Sequence, residues 1–267
     1  MSNATADVTE AVPTQLQPVA RFVVDWFPIA ILLLLWELAS GWAVGEAVLP
    51  PPSVVLVRVS QMLFTWPIGE SVLPDLGISL YRVFWGLGLS IVVGVLLGIG
   101  MARSDSVEDF FEVFLALLYP VPKTALVPLA ILWLGRGTQM AILIIFLACL
   151  LPIILNSYNA ARTIDQNLIW SAQMMGTSDR RILWKVVVPN TIPEIVTGIR
   201  QAIPIAFIAL TGAELIGSSD GMGAIILEAG QLGTYPRMFA AIVLISATAF
   251  LALRGFDRLE RRVFAWT

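Results

Sequence analysis

Long apolar runs separated by short clusters of proline, glycine and charge dominate this chain, and their lengths predict membrane helices. The first run, Trp26 to Val44, is apolar apart from Glu37 and is long enough to cross about 30 Å of hydrocarbon. Pro50, Pro51 and Pro52 end it, since proline lacks an amide donor and restricts the residue before it. From Ser53 to Trp66 apolar positions alternate with Arg58, Ser60 and Gln61, the pattern of a short helix lying in the interface. Further spans are expected at Ser79–Met101, Phe110–Trp133, Met140–Tyr158, Ile192–Ile216 and Met238–Leu253, giving six in all. Prolines 120, 122 and 128 interrupt the third of these. In the second, Gly94 and Gly98 form a small-xxx-small face that lets helix backbones approach closely in lipid. The loop 217–223, rich in glycine and serine, leads to a re-entering apolar piece at Ala224–Leu227.

Composition agrees with this pattern and narrows the chemistry. Of the 267 residues, 58% are hydrophobic and 13% charged, against roughly 25% charged in soluble domains. The expected class is therefore an all-α integral membrane protein of about six transmembrane helices, with residues 1–20 as a disordered cytoplasmic tail and residues 21–267 as the transmembrane domain. There is no histidine, and the one cysteine, Cys149, lies in an apolar run, which removes the commonest base, metal ligands and any internal disulfide. No glycine precedes a lysine, so the phosphate-cradling G-x-x-x-x-G-K-[ST] loop is missing. The chain is expected to be no enzyme and to hold no metal or cofactor of its own. A net charge of −3 points to no nucleic-acid partner.

Where the charges fall predicts orientation. Arg21, Arg103, Arg162, Arg180, Arg181, Lys185, Arg254, Arg258, Arg261 and Arg262 fall on one side, and Arg58, Arg82, Arg136 and Arg237 on the other. By the positive-inside rule both termini are expected in the cytoplasm.

The longest polar excursion, residues 159–189, exceeds what a hairpin needs. It reads as two short helices, Asp165 to about Met175 and Asp179 to about Val188, parted at Gly176 and broken before the membrane by Pro189 and Pro193. From spacing alone, such a segment either docks another protein or merely anchors the spans on either side.

The run Trp170-Ser171-Ala172-Gln173-Met174-Met175-Gly176, followed by Val186-Val187-Val188-Pro189, resembles the coupling signature of ABC importer permeases. The spacing is kept, while Trp170 stands where glutamate is usual, Ser171 replaces an alanine, and Val186 and Val188 replace isoleucine and leucine. Ser79-Leu80-Tyr81-Arg82-Val83, Pro120 to Leu129 with Ile131 to Gly135, and Glu214 to Ser219 with Gly221 to Gly223 are similar to the nitrate, sulfonate, taurine and bicarbonate branch. The resemblance implies a permease dimer in a bacterial or archaeal cytoplasmic (inner) membrane that moves a small, anionic solute inward. It also implies two ATP-binding cassette subunits, which hold the ATP and Mg and dock at Trp170, Ser171, Ala172, Gly176, Arg180, Arg181, Val186, Val188 and Pro189. An extracytoplasmic substrate-binding protein would deliver the solute. The rival readings are a self-contained secondary carrier or channel and, with less in its favour, a membrane-embedded enzyme.

Charged residues at membrane depth are candidates for the pathway. Glu37 either faces it or fills an interhelical role, and Lys123 either attracts an anion or snorkels to the interface. Glu214 reads as a gate or as an interhelical hydrogen-bond partner, and Arg200 as a cross-dimer pair or a brace for the coupling segment.

Overall fold

A computed structural model describes residues 17–40, 48–64 and 72–263. Most of the expected tail therefore lies outside the described residues. Among those described, every regular element is helical. In chain order they are α1 (Gln17–Ala39), α2 (Pro52–Phe64), α3 (Leu73–Arg103), α4 (Asp105–Leu118), a 3₁₀ turn (Lys123–Leu126) and α5 (Val127–Leu134). There follow α6 (Thr138–Arg162), α7 (Gln166–Met174), α8 (Asp179–Ile182), α9 (Val188–Gly217), α10 (Met222–Gln231) and α11 (Tyr235–Val263).

Four helical stretches among the described residues are long and apolar enough to cross a membrane, or five if a bent pair counts as one span. Of the six expected spans, the first, Trp26–Val44, lies partly outside the described residues, α1 being described to Ala39 ahead of residues 41–47. The expected third span is the bent pair, in which α4 meets the segment Lys123–Leu134 at 90°. Pro120 and Pro122 supply no amide there, and the Lys123 ammonium takes over two carbonyls, Leu118 at 2.5 Å and Val121 at 2.7 Å.

α6 is the centre of the fold. Met140, Ala141, Ile144, Ile145, Cys149 and Ile153 are fully buried along it, with α3 on one side and α9 on another. The α3 face is built from Gly86, Ser90, Gly94 and Gly98, a small residue at every fourth position. Added Cβ atoms at Gly86, Gly94 and Gly98 would come within 2.6–2.8 Å of α6 atoms, the Ile145 and Ile153 side chains at the first two and the Ile154 carbonyl at the third, so α3 has no room for side chains on this face. Ser90 Oγ continues the seam, 2.9 Å from the Phe146 carbonyl. Packing and this hydrogen bond hold the contact, because lipid supplies no hydrophobic drive between helices.

The stretch before α9 differs from expectation. α8 passes through a π-helical turn, Leu183–Val187, straight into α9. Neither Pro189 nor Pro193 breaks it, and Asp179–Gly217 forms one helix of 39 residues, roughly 58 Å long at 1.5 Å per residue. The wider π turn accommodates a proline at the start of the next turn. The side chains of Asn190 and Thr191 donate to the carbonyls of Val186 and Val188, at 2.7 and 2.9 Å.

Candidate functional site

Two clusters sit at opposite ends of this long helix. The first is a platform made by α7 and α8. Asp165 caps α7 by accepting the Asn167 amide at 2.9 Å. Gly176, at φ +71°, turns the chain between the two helices, a conformation side chains disfavour. Ile169, Ala172, Ile182 and Val187 form the underside, packed on Ile99 of α3 and Ala161 of α6. Trp170, Met174, Met175 and Trp184 face outward, Met174 with 90% of its surface exposed. Arg180, Arg181 and Lys185 are exposed beside them. Of the residues predicted for docking, Trp170, Ser171, Gly176, Arg180, Arg181 and Pro189 are exposed, Val186 and Val188 are half-buried, and Ala172 is buried in the underside. An exposed patch of tryptophan and methionine with basic residues at its edge has the composition of a protein-binding surface.

The second cluster is charged, with a fully buried ion pair at its centre. Arg82 of α3 and Glu214 of α9 are both fully buried, with Nη1 and Oε1 2.7 Å apart. Arg82 Nη2 reaches Asp220 Oδ1 at 2.5 Å and Thr138 Oγ1 at 3.2 Å. Ser79 donates to Glu214 at 2.8 Å. The N-terminus of α10 completes the network, its amides, which have no partner within the helix, meeting acidic or hydroxyl oxygens as the helix dipole favours. Gly221 N donates to Asp75 at 2.8 Å, Met222 N to Ser79 at 3.0 Å, and Gly223 N to Glu214 Oε2 at 2.9 Å. Five parts of the chain meet here, the start of α3, the start of α6, the end of α9, the 217–221 loop and α10.

The four candidate pathway residues have separate partners. Glu37 accepts from Ser53 N at 3.2 Å and Ser53 Oγ at 2.7 Å, closing the corner between α1 and α2. Lys123 caps the end of α4, as described above. Arg200 is paired on its own protomer with Asp257, at 3.3 Å, and Glu260 of α11. Glu214 belongs to the buried cluster. Arg82 was missed as a site residue: the charge count treats it as a flanking cation, and the structure corrects this to a paired interior one. The available signal was an arginine inside an apolar run, costly unless paired.

A groove of 630 Å³ opens along α9, between α10, α11 and the 3₁₀ turn. Phe207, Ile226 and Ile245 give it an apolar wall, with Thr124, Thr211 and Ser246 as polar points.

The sequence profile of the binding-protein-dependent transport system inner membrane component matches residues 90–265. The chain belongs to this family. The taurine transport system permease of Escherichia coli is 31% identical to this permease over 240 residues, 89% of this chain and 87% of the relative. A putative aliphatic sulfonates permease of Bacillus subtilis is 32% identical over 238 residues, covering 89% of this chain and 85% of that one. The bicarbonate permease of Synechocystis is 29% identical over 245 residues, 89% of this chain and 87% of the relative. Among solved structures, the inward-facing MetNI methionine ABC transporter superposes with a TM-score of 0.64 at 20% identity, over 75% of this chain and 99% of the other. The permease therefore has the helical fold of an ABC transporter membrane subunit.

Proposed function

We propose that the permease is the membrane subunit of an ATP-driven importer, working as a homodimer and carrying a small anion inward by alternating access. The observation that carries this reading is the platform, exposed and aromatic on its outer face, packed on α3 and α6 beneath, and continuous with α9. Two ATP-binding subunits, with their ATP and Mg, would grip it from the cytoplasm, where both termini also lie. Closure of the ATPase pair would then move α9 as a rigid lever, a packed-helix displacement of the hinge-and-shear kind. An extracytoplasmic binding protein delivers the solute at the far end.

The relatives that carry taurine, sulfonates and bicarbonate support an anionic substrate for this permease. The groove along α9 is a half-site that a second copy completes. Lys123 precedes Thr124 in its wall, and with two of three ammonium donors engaged by carbonyls it keeps one for an anion.

Two results are expected. Arg180→Glu with Arg181→Glu lowers co-purification of the ATP-binding subunit about tenfold or more, since like charges brought together across an interface cost several kcal/mol, and leaves membrane insertion unchanged. Undiminished co-purification rules out docking through these arginines. Thr211→Trp fills the groove and abolishes solute uptake in reconstituted vesicles while the ATP-binding subunit still co-purifies. Uptake that persists without ATP and follows an ion gradient replaces this reading with a secondary carrier.

A further inference from the structure

The Arg82 cluster has a dry part and a wet part. Arg82 and Glu214 expose none of their side-chain surface, whereas the Asp220 side chain is 45% exposed. Opening the Arg82–Glu214 contact strands two charges away from water. Opening the Arg82–Asp220 contact leaves a neutral pair behind and returns Asp220 to solvent. The second is the cheaper of the two to open.

The backbone around the cluster divides in the same way. Met222 N and Gly223 N are bonded to Ser79 and Glu214, both fully buried. The loop before them is held at its tip through Asp220, whose carboxylate and carbonyl both meet Arg82, the carbonyl at 3.0 Å, and through the Gly221 amide, which donates to the half-buried Asp75 at 2.8 Å. Gly221, at φ +96°, closes the loop directly over the pair, where an added Cβ would lie 2.4 Å from Glu214 Oε1. On its other side the loop borders open space, for Ser218 and Ser219 line a polar cleft of 330 Å³ with Asp75 and Glu228.

We propose that Asp220 is a positioning residue for transport, a latch that holds the 217–221 loop over the far end of α9 and lets go during the cycle. The Arg82–Glu214 pair stays closed throughout and is the fixed anchor of the lever. The role in transport rests on the importer reading above; the unequal strength of the two contacts does not.

Hydrogen exchange on the full-length permease in lipid nanodiscs tests the contacts. In Asp220→Ala the amide of Gly221 should exchange about tenfold faster or more, as expected where a local opening becomes easier, while Met222 and Gly223 keep wild-type protection. Asp220→Asn, which retains an acceptor for Arg82, should lie between. Unchanged exchange at Gly221, or equal acceleration at Gly223, overturns the latch. The cycle is tested on the permease purified with its ATP-binding subunit. Asp220→Ala should raise ATP hydrolysis in the absence of binding protein at least about twofold and lower uptake per ATP. A merely structural defect lowers hydrolysis and uptake together, and that result overturns the positioning role. If no ATP-binding subunit co-purifies with the wild type, the importer reading fails while the exchange result still decides the latch.

Discussion

Arg82→Met is expected to cost the permease about 3–5 kcal/mol of stability, the usual penalty for removing one partner of a buried ion pair. Methionine matches the arginine stem in length and fits an apolar helix, so the loss comes from charge rather than shape. Glu214 would then be left fully buried with Ser79 and the Gly223 amide as its remaining partners. Two neutral donors do not balance a carboxylate that has lost its cation, and Asp220 and Thr138 lose their guanidinium contacts as well. A loss of that size corresponds to a fall of roughly 6–20 °C in the unfolding midpoint of a protein this large. The double variant Arg82→Met with Glu214→Gln should recover more than half of it, because the glutamine carbonyl still accepts from Gly223 without carrying charge. A fall of less than about 2 °C for the single variant would mean that water reaches the pair, and the cluster would then not be the dry anchor described above.

The cluster also shows what the sequence pattern can and cannot reveal. Glu214 was legible as a candidate because an isolated acid near the end of an apolar run is conspicuous, and its partner on α3 was not. Ser79 and Arg82 lie 135 and 132 residues from Glu214, and neither helical period nor capping signal reaches across such a separation. The platform was far more legible. Its two helices and its turn at Gly176 are local features, fixed by residues within a few positions of one another. Spacing also identified the Gly94–Gly98 face, though without indicating that it meets α6.

Proline was the main source of error, in both directions. Pro189 and Pro193 read as breakers, yet the helix runs on from the π turn before them. Pro120 and Pro122 read as interruptions within one span, yet they turn it through 90°. A proline removes a hydrogen bond in every case. Whether the helix survives depends on which other group takes the freed carbonyl, and that is a tertiary question.

Gly98→Leu is expected to have the other large effect, on stability and on coupling together. Its added Cβ would lie 2.6 Å from the Ile154 carbonyl, 2.7 Å from Ser157 Cβ and 2.9 Å from the Tyr158 amide. Two of these are backbone atoms of a helix core that cannot turn aside, so α3 and α6 must separate. Separation weakens the contacts at Gly94 and Gly86 along the same seam, and overpacking of this kind costs about 1–3 kcal/mol or more. The next residue, Ile99, packs against Ala161, Ile169, Ala172, Ile182 and Val187, so a shift of α3 at Gly98 also disturbs the support of the platform. Stability and ATPase docking should therefore fall together in this variant, whereas Arg180→Glu with Arg181→Glu affects docking alone. Gly88→Ala is the control, since nothing lies within 4 Å of its added Cβ. There the helix gains about 0.5–1 kcal/mol from the lost flexibility of glycine. Unfolding midpoints and co-purification of the ATP-binding subunit, measured for both variants, decide the matter. A Gly98→Leu permease that melts like wild type would show that the α3–α6 seam is not close-packed at this point.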